Sequence, residues 1–516
     1  MFRPSTPVSS GAFFDRQDEL ARLLRVVETV VDGAPSWLAI LGPRKIGKTS
    51  LLLEAQRRSR GKGVHFVLLD SLELGPPTWE IVRRLALRCI DAGLAKKLGV
   101  SCEALADNAR EYRQALVGAP AFSALPPSLR RVVLDVPEMS LEPTHLPRLL
   151  HLVQELGEAL NTHFLVAWDE FQALSRLEKG RRGFDIYPLL RSAWQVQDRV
   201  TYVVSGSERS LLRSLVSEER APFFQHFAIL ELGPFANIDA LKLLRDAAPK
   251  GRKIPSGVAK QAQSILAGHP FYLQLFGEEL TVEPPPYGDT ELKAVMQRLL
   301  FSRTGRLALH FENEYARLVG RSTALAAILR VLAEGACRVS TLATQVGCAT
   351  GSAVRYIERL GDAVASREDG RYALDDPTFA LWLQWRRPGG SIVPMTLLGD
   401  EGEKNVAAEL ARLGFDLVYQ SRASRGAFDL LALRGDRQLA VQVKRSPLPL
   451  RFRKRPWARM VADARRQGWQ WLVAANLPTG EVYFLDPQKA RVGRELRLEQ
   501  EAIIDNVLAW IDETDA

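Results

Sequence analysis

The sequence predicts an α/β protein of several domains whose first domain is built on a doubly wound parallel sheet, and three observations carry the prediction. Short apolar runs at Trp37 to Leu41, Val64 to Leu69, Phe164 to Trp168 and Val200 to Val204 alternate with amphipathic helical stretches. Strands joined by helical crossovers make a parallel sheet with its ligand at the carboxyl ends of the strands. The chain has 516 residues, more than one core usually supports. A second helix, strand, strand, helix pattern begins afresh from Glu401, after Pro388-Gly389-Gly390.

Composition narrows the class. Apolar residues make up 46% and charged residues 25%, which excludes a mainly disordered or collagen-like chain. No stretch approaches the ~18 uninterrupted apolar residues of a membrane span, and Met1 to Phe13 lacks the apolar core of a signal peptide. The expectation is a cytoplasmic protein without a membrane partner. Cys89, Cys102, Cys337 and Cys348 show no C-x-x-C spacing, so buried thiols are expected, not zinc ligands or disulfides. The net charge of +9 is a modest excess that matters where cations cluster, and a local cluster without acids falls towards the C-terminus, between Lys444 and Arg459.

The strongest motif follows the first strand. Gly42, Pro43, Arg44, Lys45, Ile46, Gly47, Lys48 and Thr49 fit G-x-x-x-x-G-K-[ST] and open a helix from Thr49 to Arg58. Glycines let backbone N–H groups close on phosphate oxygens, Lys48 neutralises the outer phosphates, and the Thr49 hydroxyl can ligate Mg2+. These residues and the following Ser50 form the expected nucleotide-binding loop, with ATP and Mg2+ as cofactors. Such a loop needs an acidic partner, and the strand Phe164 to Trp168 runs into Asp169 and Glu170. Asp169 is the expected metal ligand and Glu170 the catalytic base for the attacking water. The next strand ends in Ser205-Gly206-Ser207, where Ser207 can sense the terminal phosphate.

The rest of the chain falls into segments. A P-loop core is expected over residues 1–236, with a helical insertion in the interval 71–160 broken at Gly75-Pro76-Pro77 and Pro126-Pro127. A helical lid is expected over 237–320, interrupted at Pro284-Pro285-Pro286. Residues 321–390 give three short helices, a turn at Gly347 to Ser352 and a hairpin with Asp369-Gly370 at its tip, the order of a winged helix. Its second long helix, Ser352 to Leu360, carries Arg355 and Arg359, which could read DNA or simply face solvent on a packing module.

With these motifs in place, the first three-quarters of the chain resembles the archaeal-type ATPases of the STAND/AAA+ group. The resemblance covers about residues 10 to 390. It rests on Phe14-Asp15-Arg16-Gln17-Asp18-Glu19-Leu20, the phosphate loop with Arg44-Lys45, Asp169-Glu170-Phe171, Ser205-Gly206-Ser207, Gly268-His269-Pro270-Phe271-Tyr272, and Asp375-Asp376-Pro377 to Trp385. It implies that His269 and Pro270 set the lid against the nucleotide. Two departures stand out: Asp15 replaces a glycine, and Gln225-His226 replaces a Gly-Arg pair. The missing arginine implies slow hydrolysis, or service by Arg209, Arg213 or Arg220.

A second constellation lies in residues 399–516. Glu403 is on a helix that closes at Gly414, Asp429 falls in the strand-like run Ala427 to Leu433, and Gln442 and Lys444 share one face of the strand Leu439 to Lys444. Two carboxylates and a lysine beside a metal ion suit phosphodiester hydrolysis, the metal activating water and the lysine orienting it. Glu403, Asp429 and Gln442 are the expected metal ligands, for Mg2+ or Mn2+, and Asp429, Gln442 and Lys444 the catalytic set. Glu403 to Lys444 is similar to the core of the PD-(D/E)XK nuclease superfamily, near Holliday junction resolvases in the helix and Mrr-like restriction endonucleases in the Q-x-K. This restriction-endonuclease-like resemblance covers about residues 399 to 490. Gln442 stands where most members carry a carboxylate, so an inactive, DNA-binding descendant is the alternative.

A basic run follows: Arg445, Arg451, Arg453, Lys454, Arg455, Arg459, Arg465 and Arg466, interleaved with Phe452, Trp457 and Trp469. Cations bind a phosphate backbone by counterion release, and exposed rings stack on bases. Arg451, Arg453, Lys454 and Arg455 are therefore expected DNA contacts, against the alternative of a solvated helix face. The sequence as a whole predicts an ATP-binding and ATP-hydrolysing switch or motor coupled to a metal-dependent DNA endonuclease, in defence, repair or control of mobile DNA. The rival is a nucleotide-gated DNA-binding adaptor with a dead nuclease fold. DNA, further copies of the chain and another protein are the partners considered.

Overall fold

A computed structural model describes all residues except 1, 11–12, 74, 76–77, 96–100, 143, 180–184, 303, 388–389, 393–400, 416, 421–427, 435–436, 468 and 514–516. Pro76-Pro77, Pro388-Gly389 and Ala427 lie outside the described residues. The chain divides into two compact units, Met1–Ala247 with Gly268–Gln274, and Ala248–Ala267 with Leu275–Ala516.

The first unit holds a five-stranded sheet of β1 (Trp37–Leu41), β2 (Val64–Asp70), β3 (His163–Asp169), β4 (Val200–Gly206) and β5 (Phe227–Glu231), in the order β2-β3-β4-β1-β5. All four pairings are parallel. The central β1 and β4 are buried along their whole length, which is why both read as unbroken apolar runs. β5 is absent from the sequence reading. It lies at the edge and exposes Ala228 and Glu231, so its apolar signal is diluted. Registers bring Asp70 opposite Asp169 and Leu41 opposite Gly206, so the carboxyl ends of these four strands align at one end of the sheet.

The interval between β2 and β3 is helical, as expected. Its longest helices, Glu80–Ile90 and Leu146–Ala159, pack on each other and bury Val82, Leu85, Leu149 and Val153. Beside β3 and β4 lies an aromatic cluster centred on Trp194, which stacks on Tyr202 at 3.8 Å and meets the edge of Trp37 at 5.8 Å. Phe171 and Phe223 close it at 5.9 and 5.6 Å. Burial of such rings dominates core energetics.

The second unit contains the helices Ser256–Ile265, Asp289–Met296 and Arg306–Val319, then Thr323–Glu334, Val339–Val346 and Thr350–Leu360. A hairpin of β6 (Val364–Ser366) and β7 (Tyr372–Leu374) follows, with Gly370 at its tip in the left-handed region at φ 74°. Gly347, at φ 74°, ends the helix Val339–Val346. The next helix therefore starts at Thr350, two residues earlier than the sequence suggested.

A seven-stranded mixed sheet completes this unit. Its strands are β8 (Arg386–Arg387), β9 (Gly390–Ile392), β10 (Leu417–Gln420), β11 (Leu430–Arg434), β12 (Arg437–Lys444), β14 (Gln470–Asn476) and β15 (Val482–Leu485), in the order β15-β14-β12-β11-β10-β9-β8. A separate three-stranded sheet, β13-β17-β16, is made of β13 (Leu450–Phe452), β16 (Arg491–Val492) and β17 (Leu496–Leu498). Two expectations change here. Arg386–Arg387, expected to belong to the winged-helix segment, and Gly390–Ile392, ahead of the pattern expected from Glu401, contribute β8 and β9 to the sheet. The strand expected from Ala427 begins at Leu430, leaving Asp429 just ahead of it.

The aromatic cluster yields a stability test. The Trp194 indole N–H finds no hydrogen-bond partner among the described residues, so its contribution is packing alone. Trp194→Ala is expected to cost about 3–5 kcal/mol and Trp194→Phe less than about 1.5 kcal/mol, read from urea unfolding midpoints.

Candidate functional site

The phosphate loop is shaped by two glycines. A Cβ on Gly42 would fall 2.8 Å from the Leu232 carbonyl oxygen, and Gly47 sits at φ 106°, so each position excludes a side chain for a different reason. The helix then starts at Lys48. Lys48 is buried and its ammonium donates to the carbonyls of Gly42 and Pro43 at 2.9 and 3.0 Å. Burial lowers its pKa, opposed by the nearby charges of Glu170 and Asp169 and reinforced by Arg44 and Arg209. Such an ammonium favours an anion beside it. Lys45 spans the other side of the loop, its ammonium 3.8 Å from the ring centroid of Phe271.

Asp169 is the hub of the strand ends. Its Oδ2 accepts the Thr49 hydroxyl at 2.6 Å, and its Oδ1 accepts the Glu170 N–H at 3.0 Å and the Ser205 hydroxyl. Glu170, in the left-handed region at φ 50°, accepts Ser207 Oγ–H at 2.8 Å and Gln172 Nε2–H at 2.7 Å. Ser205 and Ser207 are two residues apart, so they serve the two acids from one side of β4. The hydroxyl and carboxylate oxygens of Thr49 and Asp169 are hard donors that fit Mg2+. Ser50, by contrast, accepts the Val8 N–H at 3.1 Å.

Sequence reasoning missed two members of this site. Asp70 ends β2 opposite Asp169, and its pKa is raised by burial and by the charges of Asp169 and Glu170. Gln172 is buried and clamps Glu170. Asp70 was legible as an acid ending a predicted strand, whereas Gln172 had no signal.

The turn Gly268-His269-Pro270 belongs to the same unit. Gly268 accepts the Phe235 N–H at 2.9 Å, and His269 is buried and stacked on Tyr272 at 3.9 Å. Pro270 begins the following helix. Arg16 is buried, over the Phe235 ring at 5.0 Å, and donates to the Gly233 carbonyl. Of the three arginines considered, Arg209 opens the helix after β4 and its charge reaches Lys48, Arg213 is paired with Glu231, and Arg220 is exposed. A cleft of about 600 Å³ lined by Gln56, His65, Phe66, Arg88 and Asp91 runs along β2 and includes none of the phosphate-loop residues.

In the seven-stranded sheet, Asp429 Oδ2 accepts the Val443 N–H at 2.8 Å and the Gln442 amide N–H. Lys444 is exposed, 5.3 Å from the Phe452 ring centroid. The first turn of the helix Glu401–Arg412, which carries Glu403, lies at the end of β12: a Cβ on Gly402 would fall 2.5 Å from Arg445 Cγ. Asn405 also reaches Asn476, at the end of β14, at 3.4 Å. Among the described residues no group of three or more His, Cys, Asp or Glu side chains is placed to hold a metal.

Arg355 and Arg359 are exposed one turn apart on the helix Thr350–Leu360. Arg451, Arg453, Lys454 and Arg455 are exposed as well. The aromatic residues between them correct the expectation of base stacking. Phe452 and Trp457 are 5% and 8% exposed and pack together at 5.1 Å, and Trp469 leans on the same core. They are core because they sit on the inward face of β13 and of the following helix.

No family model and no curated protein sequence matches the chain. Among solved structures, the Walker-type ATPase PABY2304 of Pyrococcus abyssi aligns with a TM-score of 0.52 and 22% identity, covering 74% of this chain and 99% of that one. Over that stretch the chain shares that protein's fold. The Aeropyrum pernix ORC2 protein aligns over 74% of this chain and 95% of that one, with a TM-score of 0.46 and 13% identity. The Holliday junction resolvase Hjc of Archaeoglobus fulgidus aligns over 21% of this chain and 98% of that one, with a TM-score of 0.19 and 23% identity. Those two likenesses are too slight to define a fold. No helix among the described residues is long and apolar enough to cross a membrane.

Both departures from glycine noted in the sequence take up left-handed backbone, Asp15 at φ 55° and Gln225 at φ 60°. That conformation costs a side chain roughly 1–2 kcal/mol, against roughly 0.5–1 kcal/mol for the added freedom of an unfolded glycine. Gln225→Gly is therefore expected to be neutral or to stabilise by up to about 1 kcal/mol in thermal unfolding, and a clear loss would contradict the strain. A second test uses Glu54, a buried acid on the phosphate-loop helix that accepts Ser10 N–H, Arg57 and Arg58. Hydrogen bonds from Arg57 pull its pKa down to about 2. A depressed folded pKa gives stability that is present above the ordinary carboxylate value and lost as pH falls through the folded one. The stability advantage of the native protein over Glu54→Gln should shrink as pH falls from about 4.5 to about 2, measured by denaturant unfolding.

Proposed function

We propose that this chain is an ATP-binding and ATP-hydrolysing switch or motor of the archaeal-type STAND/AAA+ kind, coupled to a Mg2+-dependent DNA endonuclease in its C-terminal domain. The observation that carries the ATPase half is the meeting of Lys48, Thr49, Asp169 and Glu170 at one edge of the parallel sheet. Lys48 exchanges its loop carbonyls for phosphate oxygens. Thr49 and Asp169 would hold a magnesium ion, which would shield phosphate charge. Glu170 accepts the proton of the attacking water once Ser207 and Gln172 release it, and Arg209 takes the charge-stabilising role left open by Gln225-His226.

The division into a core at 1–236, a helical lid at 237–320, a winged helix at 321–390 and a PD-(D/E)XK-like domain at 399–516 belongs to this proposal. The helices Thr323–Glu334, Val339–Val346 and Thr350–Leu360 followed by the hairpin β6–β7 support the winged helix. Asp429 and Gln442 in contact, with Lys444 two residues along the same strand face, support the nuclease. The second reading is a nucleotide-gated DNA-binding adaptor. What favours it is that the Gln442 amide donates its N–H to Asp429, so the pair satisfies itself without a cation.

Variants separate these roles. Lys48→Ala should abolish tight ATP binding in a titration, while Glu170→Gln should bind ATP normally and hydrolyse it about 10²–10⁴-fold more slowly. Arg209→Ala should lower kcat with little change in ATP affinity, and unchanged turnover would remove it from the site. On plasmid DNA with Mg2+ or Mn2+, Asp429→Ala and Lys444→Ala should abolish cleavage and spare ATP hydrolysis, whereas Gln442→Glu should lower the metal concentration needed. A native protein and Gln442→Glu variant that are both inactive with either metal would establish the adaptor reading instead.

A further inference from the structure

The small sheet β13-β17-β16 carries a row of three arginines. Its strands pair antiparallel with Arg451 opposite Arg497, and Arg491 also opposite Arg497. One face is core, where Leu450, Phe452, Leu496 and Leu498 are buried together with Trp457 and Leu485. Alternation along the strands sends Arg451 and Arg497 to the other face, and all three arginines are exposed. Neighbouring strands lie about 4.8 Å apart, so the row spans roughly 10 Å.

Local electrostatics oppose this arrangement twice. Like charges directly opposite across strands are destabilising. Arg491 is relieved by Glu499 at 2.8 Å and Glu501 at 3.7 Å, but Arg451 and Arg497 form no ion pair among the described residues. Immediately after β13, Arg453, Lys454 and Arg455 occupy the start of the helix Lys454–Gln467, where the helix dipole disfavours cations. No Asp or Glu falls between Arg437 and Ala462 to compensate. A polyanion laid on this face relieves both conflicts at once. Val492 is the one large apolar side chain strongly exposed on these three strands among the described residues, which is too little for a protein interface core.

We propose that the exposed face of β13-β17-β16, anchored by Arg451 and Arg497 with Arg491 at its edge, binds the sugar-phosphate backbone of DNA. This rests on the reading of the chain as a DNA-acting ATPase, and adds Arg497 and Arg491, which the basic run in the sequence does not contain. Contacts of this kind hold the duplex without reading its bases, so the face supplies affinity that is independent of sequence.

The test is a salt titration of binding by the full-length protein to labelled duplexes of unrelated sequence. Arg451→Ala/Arg497→Ala should reduce the log–log salt slope by about 1.8, so that the affinity lost between about 50 and 200 mM salt shrinks roughly tenfold. Arg451→Lys/Arg497→Lys keeps the charge and should keep the slope. Binding by the native protein with an unchanged slope in the alanine pair would overturn the proposal, as would a lysine pair as impaired as the alanine pair. Loss of binding to phosphatidylserine vesicles in the alanine pair, with DNA binding intact, would reassign the face to anionic lipid. A native protein that hydrolyses ATP but binds no duplex would instead remove the broader DNA reading and this face with it.

Discussion

The contact on which the first unit depends is the hydrogen bond from Thr49 Oγ1 to Asp169 Oδ2, 2.6 Å long. It joins the helix that follows β1 to the end of β3, although β4 lies between those strands in the sheet. Asp169 is only 5% exposed, and a buried carboxylate is tolerated when its oxygens are saturated with donors. Thr49, the Glu170 N–H and Ser205 supply them, one from each of the elements that converge there. The same saturation fixes Glu170 beside Ser207 and brings Asp70 into an acidic group whose repulsion a cation would relieve. Lys48, buried and leaning on carbonyls, is the positive counterpart. Carboxylates and a buried ammonium thus act on one another at the strand ends.

The C-terminal constellation is organised differently. Asp429 accepts the Val443 N–H and the Gln442 amide N–H, both from β12. A glutamate in place of Gln442 would confront Asp429 with a like charge and would demand a cation. The amide carries no charge and so adds nothing to the demand of Asp429 for a cation.

Much of the first unit was legible because its signals are steric and periodic. Gly42 and Gly47 cannot carry side chains, β1 and β4 are apolar throughout, and the acids follow directly on a buried strand. β5 escaped notice because an edge strand with Ala228 and Glu231 facing outward lacks an apolar run. Gln172 escaped because its role arises from a turn that folds it back on Glu170, which no spacing encodes. In the second unit the spacing of Gln442 and Lys444 was readable, but the fate of Phe452 and Trp457 was not. Interleaving of aromatic and basic residues looks the same whether rings face solvent or core, and strand alternation decides it here in favour of the core. The same alternation exposes Arg451 and, from a distant segment, Arg497, a pairing visible only once register is known.

The measurement that bears most directly on the central claim is the Mg2+ dependence of ATP binding by the native protein and by Asp169→Asn. Thr49, on the helix after β1, and Asp169, at the end of β3, are the oxygen donors proposed to hold the ion, so the native protein should bind ATP saturably and markedly more tightly with Mg2+ than with EDTA. Asp169→Asn should retain the metal-independent affinity contributed by Lys48 and the loop, and lose most of the Mg2+-dependent gain. An equal Mg2+ effect in both proteins, or no ATP binding by the native chain, would contradict the account.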